Sequence, residues 1–241
     1  MKISNSDYDY LNGQKYSNGR KIKFQFDNND KLYFTRSDFL KELVVEKEVI
    51  HVGFIDHDID TIKNKISKGK WLHSVLDDSA KRCFGIDILD EEINFVRNNL
   101  GFTDVSVGDI TSTIPDEISG LKWDYLMIPE VLEHIDNPVI FLEGIKRVWK
   151  GSVRKMVITV PNAFTPNNFR SAKQRFEHIN TDHRYWFTPY TAAKIVCQAG
   201  LKVDRIVMCH HGRIKKRSFI RNYKFKKNPL TRSDIILLID F

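Results

Sequence analysis

Two carboxylates and one imidazole lie within five consecutive residues, in the segment Glu130-Val-Leu-Glu-His134. If this segment is helical, residues three and four positions apart share a face, so Glu130 lies beside both Glu133 and His134. Such a set suits a divalent cation such as Mg²⁺, Mn²⁺ or Zn²⁺, which would lower the pKa of a coordinated hydroxyl group. The alternative is structural, with Glu130 as a cap and His134 packed or hydrogen-bonded at the helix end.

A histidine could also act without a metal, because an imidazole titrates near neutral pH. His134, or His183 in the later run Asp182-His-Arg184, would then be the general base that takes a proton from the acceptor. Both routes favour an oxygen acceptor, since a nitrogen acceptor needs less deprotonation. Four aromatic residues could line an acceptor pocket, the last two being equally compatible with the core: Phe164, Phe169, Tyr185 and Trp186.

From Val49 onward, short apolar strands alternate with amphipathic helices, a pattern typical of a sheet covered on both faces. The predicted strands are 49–52, 82–86, 105–107, 124–128, 155–160, 203–208 and 234–241. The predicted helices are 37–47, 71–80, 90–99, one that begins at Pro138 and one from Thr188 to Gly200. We therefore expect an α/β fold with a doubly wound, mostly parallel, seven-stranded Rossmann-like sheet. Residues 162–185 are predicted to be an inserted loop, which in such folds usually carries function.

The N-terminal region differs from this pattern. Residues 1–20 show no periodicity and are predicted to be loose. Residues 21–26 and 31–34 alternate between polar and apolar side chains around the turn-forming residues 27–30, which predicts a β-hairpin. The predicted organisation is an N-terminal extension over 1–47 and a main domain over 48–241, with a basic insertion near 210–232.

Residues with polar or flexible chemistry follow the predicted strands in succession: Gly53, Asp87, Asp109, Glu130 and Asn162. In a doubly wound sheet, ligands bind beyond the carboxyl ends of the strands. A carboxylate such as that of Asp87 can accept hydrogen bonds from two hydroxyl groups of a ribose. For any one of these residues a cap or turn role is the alternative, but their succession favours a ligand site.

These residues belong to blocks whose order and spacing resemble those of a known family. The blocks are His51-Val-Gly53, Gly85-Ile-Asp87, Gly108-Asp-Ile110, Glu130-Val-Leu-Glu-His134 with Asn137-Pro138, Thr159-Val-Pro-Asn162, and Phe187-Thr-Pro189 with Ala199-Gly200. Together they resemble the class I S-adenosylmethionine-dependent methyltransferase superfamily, and within it the ubiquinone-type and bacterial sugar methyltransferases. The resemblance covers roughly two thirds of the chain, from Val49 to about Val207.

The resemblance implies a binding site for S-adenosylmethionine. By analogy, Gly53 lets the backbone approach the methionine part and Asp87 holds the ribose. Asp109 and Ile110 would flank the adenine. The implied cofactor-binding residues are Gly53, Asp56, His57, Asp87, Ile88, Asp109, Ile110 and Glu130.

The first block departs from the family pattern, which usually has an acid two residues before the first glycine and further glycines after it. Here the run is His51-Val-Gly-Phe-Ile-Asp-His57, and a lone glycine gives a weaker cradle than a glycine-rich loop. Asp56 and His57 are predicted to supply polar contacts instead. The alternative is that cofactor binding has been lost, which would leave a non-catalytic binding domain.

The metal hypothesis gains from a second resemblance. Small-RNA 2′-O-methyltransferases and ubiquinone O-methyltransferases carry similar Glu-x-x-Glu-His clusters that bind a divalent metal. In the former, a histidine from a later Asp-His-Arg run completes the site, and Asp182-His-Arg184 stands in the corresponding place here. The implied metal ligands are Glu130, Glu133, His134 and His183.

The net charge of +7 is local. Residues 213–232 contain nine Lys or Arg and no acid; removing these nine from the 38 basic residues leaves 29 against 31 acidic ones. The tract could bind phosphates or nucleic acid, and the alternative is a solvated loop or hairpin.

No run approaches the roughly 20 apolar residues of a membrane helix, and the start does not resemble a signal peptide. Three isolated cysteines argue for a reducing compartment, so we expect a cytoplasmic protein.

The combined prediction is an S-adenosylmethionine-dependent O-methyltransferase. Its acceptor would be a small molecule, a sugar or polysaccharide precursor, and the basic tract would suit a nucleotide-linked or phosphorylated form. An RNA 2′-O-methyltransferase and a degenerate binding domain are the alternatives. The oligomeric state stays open.

Overall fold

The computed structural model describes residues 1, 4–26, 35–212 and 217–241. Its strands are β1 (Glu48–Val52), β2 (Arg82–Asp87), β3 (Val105–Val107), β4 (Trp123–Pro129), β5 (Val153–Pro161), β6 (Lys202–Cys209) and β7 (Asp234–Asp240). Its α-helices are α1 (Asn5–Leu11), α2 (Arg36–Leu43), α3 (Ile59–Ser67), α4 (Leu72–Asp77), α5 (Asp90–Leu100), α6 (Pro138–Trp149), α7 (Pro166–Lys173), α8 (Pro189–Gln198) and α9 (Phe219–Lys227). Short 3-10 helices cover Asp116–Ile118, Leu132–His134 and Pro229–Thr231. Among the described residues, no helix is long and apolar enough to cross a membrane.

The seven strands form one mixed sheet in the order β3-β2-β1-β4-β5-β7-β6. Strand β1 pairs in parallel with β2 and with β4, and β2 pairs in parallel with β3. Strands β6 and β7 are antiparallel, with Cys209 opposite Asp234. The expectation of a mostly parallel sheet is therefore only partly correct. The chain reverses direction between β6 and β7, so these two strands pair antiparallel.

The chain divides into two compact units. We call Ser37–Pro129 with Phe141–Val157 and Phe241 the first unit, and Met1–Arg36 with Glu130–Ile140 and Ile158–Asp240 the second unit. The predicted boundary at residue 47 was a different division, and it stays a prediction.

In the first unit, β1 and β2 are almost entirely buried. Helix α5 has three acids in its first turn and ends at Gly101, whose φ of 78° is left-handed, so the predicted glycine stop is confirmed. Helix α3 was not predicted. It begins after Asp58, whose side chain accepts a 2.7 Å hydrogen bond from the Thr61 backbone N–H. Helix α2 is shorter than predicted because Val45 pairs with Ala80 as an isolated bridge.

In the second unit, the N-terminus is ordered by contacts with the C-terminal region. The Met1 amino group donates to the Ile206 carbonyl at 2.6 Å, and the Tyr8 hydroxyl donates to the Val203 carbonyl at 2.5 Å. The prediction that residues 1–20 are loose is wrong for α1, because Leu11 is fully buried there. Residues 21–26 form no strand, and the rest of the predicted hairpin, 27–34, lies outside the described residues.

Two further segments of the second unit are helical where a loop or a hairpin was predicted. The predicted loop 162–185 contains α7. The described part of the basic tract contains α9 and a 3-10 helix rather than a hairpin or loop. Helix α9 packs by one face, since Asn222 is buried and the Phe225 ring lies 4.7 Å from the ring of His210.

Candidate functional site

The loop after β1 has a left-handed backbone at two positions. Gly53, with φ of 67°, donates its N–H to the Ile86 carbonyl at 2.9 Å, which ties the loop to the end of β2. His57 also has a positive φ, of 50°, a conformation that is uncommon for a residue with a side chain. The loop between them is buried at Phe54 and Ile55. Its path is therefore fixed by packing as well as by one glycine.

An aromatic floor formed by Phe54, Trp71 and His73 supports this loop. The Trp71 indole N–H donates to the Phe54 carbonyl at 3.1 Å, and the Phe54 and His73 rings lie 4.6 Å apart. His51 contacts His73 through their Nδ1 atoms at 3.2 Å. A Cβ at Gly85 would lie 2.9 Å from atoms of both His73 and Phe54, so that glycine is required by the floor. The sequence alone did not predict this arrangement, and its only signal there was a glycine among aromatic residues.

Burial keeps the floor neutral, since it lowers the pKa of His73 to about 3. The floor thus supplies shape and not charge to the first unit. It holds the loop in the place where the family pattern has additional glycines.

Asp87 ends β2 with its carboxylate directed at backbone donors. Oδ2 accepts from the Ile55 N–H at 2.9 Å and Oδ1 accepts from the Ile88 N–H at 2.7 Å. Burial raises the pKa of this carboxyl, and the backbone hydrogen bonds oppose the rise. Backbone N–H groups of three residues, Ile55, Ile88 and Leu89, act on this carboxylate, and a carboxylate has about four acceptor sites, so Asp87 can still accept a hydrogen bond from a ribose hydroxyl. The side chain of Ile88 next to it is exposed.

Two other predicted cofactor residues of the first unit, Asp56 and Ile110, have partners within the protein. Asp56 forms a 2.5 Å ion pair with Lys65, and His57 is exposed. Ile110 is 4% exposed, and its carbonyl accepts from the Trp149 indole at 2.9 Å. Their contacts with a cofactor stay predictions.

Asp109 accepts hydrogen bonds from the N–H and hydroxyl of Thr111, at 2.9 and 2.7 Å, and from the Ser112 hydroxyl at 2.7 Å. Partial burial raises the pKa of this carboxyl, but the hydrogen bonds outweigh it and the pKa is lowered overall. Asp109 is thus an ionised turn residue, and its predicted contact with adenine also stays a prediction.

The premise that Glu130 shares a helix with Glu133 and His134 is wrong. Glu130 follows β4 with φ of 54°, and its N–H donates to the Thr159 carbonyl at 2.9 Å. The helical turn that follows is a 3-10 helix over Leu132–His134. The Glu130 carboxylate accepts from the Thr159 hydroxyl at 2.8 Å and pairs with Arg36 at 2.6 Å.

Three of the four predicted metal ligands are brought together. One ligand atom from each of Glu133, His134 and His183 lies within 4.8 Å of the others, and we call this set the Glu-His-His cluster. The two imidazole rings are perpendicular, 4.7 Å apart. His134 Nδ1 lies 3.1 Å from Asp182 Oδ2, and the Arg184 N–H donates to the Glu133 carbonyl at 2.8 Å. The Asp182-His-Arg184 run is therefore held against the 3-10 helix.

Glu133 is 0% exposed, and within the described part of the chain neither of its carboxylate oxygens has a hydrogen-bond partner. Burial, and next the charge of Glu130, raise its pKa to about 9. A buried carboxyl without hydrogen-bond partners beside two imidazoles is unfavourable on its own. One carboxylate and two imidazoles form the ligand set of many catalytic zinc sites, which keep a fourth position open, so the residues fit a borderline divalent cation.

Glu130 belongs instead to a second group with His211 and Asp234. Arg36 already supplies a cation there, because its guanidinium lies 2.6 Å from Glu130 and 3.7 Å from Asp234. The hydrogen bond with Asp234 raises the pKa of His211. Sequence analysis missed the roles of Arg36 and Asp234, since no spacing pattern links them to Glu130.

Comparison with solved structures identifies the architecture. A chain from the complex of the Haloferax volcanii Trm112 methyltransferase activator with a methyltransferase matches with a TM-score of 0.53 and 18% identity, over 85% of this chain and 88% of that one. The small RNA methyltransferase HEN1 matches with a TM-score of 0.56 and 15% identity, over 93% of this chain and 27% of that one. This chain has a methyltransferase fold. A SAM dependent methyltransferase from Aquifex aeolicus also aligns, with a TM-score of 0.49, 18% identity and coverage of 89% and 98%.

At these identities the likeness establishes the fold alone. No protein-family model matches the chain, and no curated protein matches it. The narrower resemblance to ubiquinone-type and sugar methyltransferases therefore rests on the sequence blocks.

Proposed function

We propose that this protein is an S-adenosylmethionine-dependent O-methyltransferase that acts on a hydroxyl group of a small acceptor. The observation that carries the proposal is Glu133, a fully buried carboxyl without hydrogen-bond partners that lies beside two imidazoles. Burial of such a group costs free energy, and binding of a cation or a role in proton transfer explains why it is present. Both uses serve to activate a hydroxyl.

The first unit supports the cofactor part of the proposal. Gly53 lets the backbone turn closely after β1, and Asp87 presents a carboxylate that keeps a lone pair for a hydroxyl at the end of β2. S-adenosylmethionine, when bound, supplies an electrophilic methyl group on a sulfonium sulfur. The chain itself has to place this group and keep the loop rigid, which the aromatic floor does.

The second unit supports the acceptor part. Glu133, His134 and His183 would hold a divalent cation, which supplies Lewis acidity toward a hydroxyl oxygen. Asp182 fixes the orientation of His134 through Nδ1, which leaves Nε2 for the acceptor side. Without a cation, His134 held in this way would accept the hydroxyl proton as a general base.

The acceptor we propose is the hydroxyl of a sugar or polysaccharide precursor, carried as a nucleotide-linked or phosphorylated sugar. Its support is the sequence resemblance to bacterial sugar methyltransferases. The Glu-His-His cluster would serve an RNA 2′-hydroxyl equally well. The choice between a sugar and RNA as the acceptor therefore has to be made by assay.

Titration calorimetry with S-adenosylhomocysteine tests the cofactor part. The wild-type protein should bind, and Asp87→Asn should weaken binding at least about 100-fold because hydrogen bonds to a charged group are lost. Asp116→Asn, a change at an exposed acid, is the matched control and should bind normally. No binding by the folded wild-type protein would overturn the enzyme proposal in favour of a non-catalytic binding domain.

Transfer of labelled methyl groups to nucleotide sugars and to a short RNA tests the acceptor part. Transfer to a nucleotide sugar that Glu133→Gln abolishes would support the proposal. Stimulation by Mn²⁺ or Zn²⁺ that is lost on chelation would select the metal route over the general base. Transfer to RNA alone would replace the sugar with an RNA 2′-hydroxyl.

A further inference from the structure

Helix α9 exposes bulky apolar side chains to solvent. Phe219 is 80% exposed and Ile220 is 78% exposed, and Tyr223 is exposed one turn further along. Residues at these spacings share one side of a helix. Another side of the helix packs on the protein, where Asn222 is buried. The exposed apolar stripe is thus a surface of a helix that is already anchored.

Helix α7 offers a second surface of the same composition. None of its residues is buried. Phe169 on the helix is exposed, as are Phe164 before it and Phe176 after it. An eight-residue helix with an exposed phenylalanine and no buried residue gains little stability from its own propensity, so burial within the fold does not explain its apolar side chains.

The segments that carry the two helices meet where β5 ends and β7 begins. Asn162, fully buried at the end of β5, donates its side-chain N–H groups to the Leu230 carbonyl at 2.7 Å and the Arg232 carbonyl at 2.6 Å. Its backbone N–H donates to the Ser233 carbonyl at 2.8 Å. The start of the α7 segment is therefore bonded to the end of the α9 segment.

The charge around these apolar residues has one sign. The segments 162–176 and 217–232 contain no Asp or Glu. Within the described residues, none of their surface cations forms an ion pair with a carboxylate; these cations are Arg170, Lys173, Arg175, Arg217, Arg221, Lys224, Lys226 and Lys227. An uncompensated positive surface attracts a polyanion.

We propose that α7 and α9 dock this protein on an anionic lipid bilayer. Exposed apolar side chains with flanking Lys and Arg are the composition of interfacial helices, which bury the apolar groups at the headgroup boundary. Each cation near an anionic leaflet adds to the attraction. Apolar insertion and charge complementarity together select a bilayer over a soluble anion.

The exposed groups are less suited to single-stranded RNA. Bases stack on aromatic faces, and one face each of the Phe169 and Tyr223 rings already has a lysine ammonium over it, Lys173 at 4.8 Å and Lys227 at 5.7 Å from the ring centre. Ile220 has no ring to offer a base. Burial in hydrocarbon uses all of these side chains.

Vesicle co-sedimentation of the full chain tests the proposal. Binding is expected to vesicles of phosphatidylcholine with about one third phosphatidylglycerol, to be weak with phosphatidylcholine alone and to fall with added salt. The double variant Phe219→Ser, Ile220→Ser should bind at least about tenfold more weakly, because apolar insertion is lost. Tyr16→Ser, at a 90% exposed tyrosine outside both segments, is the matched control and should bind as the wild type does.

The charge contribution is measured in the same assay. Lys224→Gln with Lys227→Gln should weaken binding about fivefold per charge, whereas Lys68→Gln with Lys70→Gln, exposed in the first unit, should leave it unchanged. Circular dichroism confirms that each variant is folded. The proposal is overturned if anionic vesicles do not bind the protein, if oligouridylate binds in their place, or if the wild-type protein forms a dimer that the Phe219→Ser, Ile220→Ser variant loses.

Discussion

Replacement of Glu133 by glutamine is expected to stabilise the metal-free protein above neutral pH. The pKa of Glu133 is about 9 in the folded protein, against 4.5 for the free side chain. Between these values the folded state holds a proton that the unfolded state has released, so the free energy of unfolding falls as the pH rises. Glutamine is a neutral isostere, and its contribution does not change with pH.

The magnitude follows from the difference in pKa. Each pKa unit corresponds to about 1.36 kcal/mol, so the complete difference corresponds to on the order of 6 kcal/mol. At about pH 7.5, three units above the unfolded value, the penalty is on the order of 4 kcal/mol. Glutamine removes this penalty but leaves a buried amide without partners, which costs about 1–3 kcal/mol. A net gain of about 1–3 kcal/mol near pH 7.5 is the expected result, and it should disappear near pH 4.5.

Urea denaturation of metal-free protein at several pH values measures this difference. Glu143→Gln, at an exposed glutamate of α6, is the matched control and should show no gain that depends on pH. Added Zn²⁺ or Mn²⁺ should stabilise the wild-type protein and release protons, because a cation bound by Glu133 requires the carboxylate. The glutamine variant should show neither effect.

A constant loss of stability in Glu133→Gln from pH 5 to about pH 8 would refute the reasoning. It would mean that the carboxylate is ionised and paired in the folded protein. The Glu-His-His cluster would then lack the uncompensated buried carboxyl that indicates a cation site.

Three further substitutions test the structure around the sites. Arg36→Met should lower the free energy of unfolding at neutral pH by about 3 kcal/mol, measured by urea denaturation, because it leaves Glu130 and Asp234 without their shared cation; an unchanged stability would contradict that pairing. Gly85→Ala should destabilise the protein by about 1–3 kcal/mol, because the new methyl group would lie 2.9 Å from two rings of the aromatic floor; calorimetry should also show weaker S-adenosylhomocysteine binding, and normal binding would separate the floor from the cofactor loop. Thr188→Ala should cost about 1 kcal/mol through loss of the capping box of α8, with cofactor binding unchanged.

Local patterns in the sequence predicted most of the first unit. Short apolar runs correspond to strands because burial of both faces of a parallel sheet requires them, and β1 to β5 lie within a few residues of their predicted positions. Gly101 ends α5 and Thr188 caps α8, as their local chemistry predicts. The positions of Gly53 just beyond β1 and of Asp87 at the end of β2 also followed from the sequence, since strand ends are read from the same patterns.

Only the tertiary structure decided which carboxylate joins which cation. Glu130 turns toward Arg36, a residue distant in the sequence, and so leaves Glu133 with His134 and His183. The high pKa of Glu133 arises first from burial, which depends on what packs over the segment, and then from the charge of Glu130 three residues before it. Periodicity records which side of an element is buried, but desolvation and ion pairing depend on what packs against that side. For the same reason α1 and α9 became visible only in the structure, because α1 is fixed by its contact with β6 and α9 by its contact with His210, and neither by a strong local pattern.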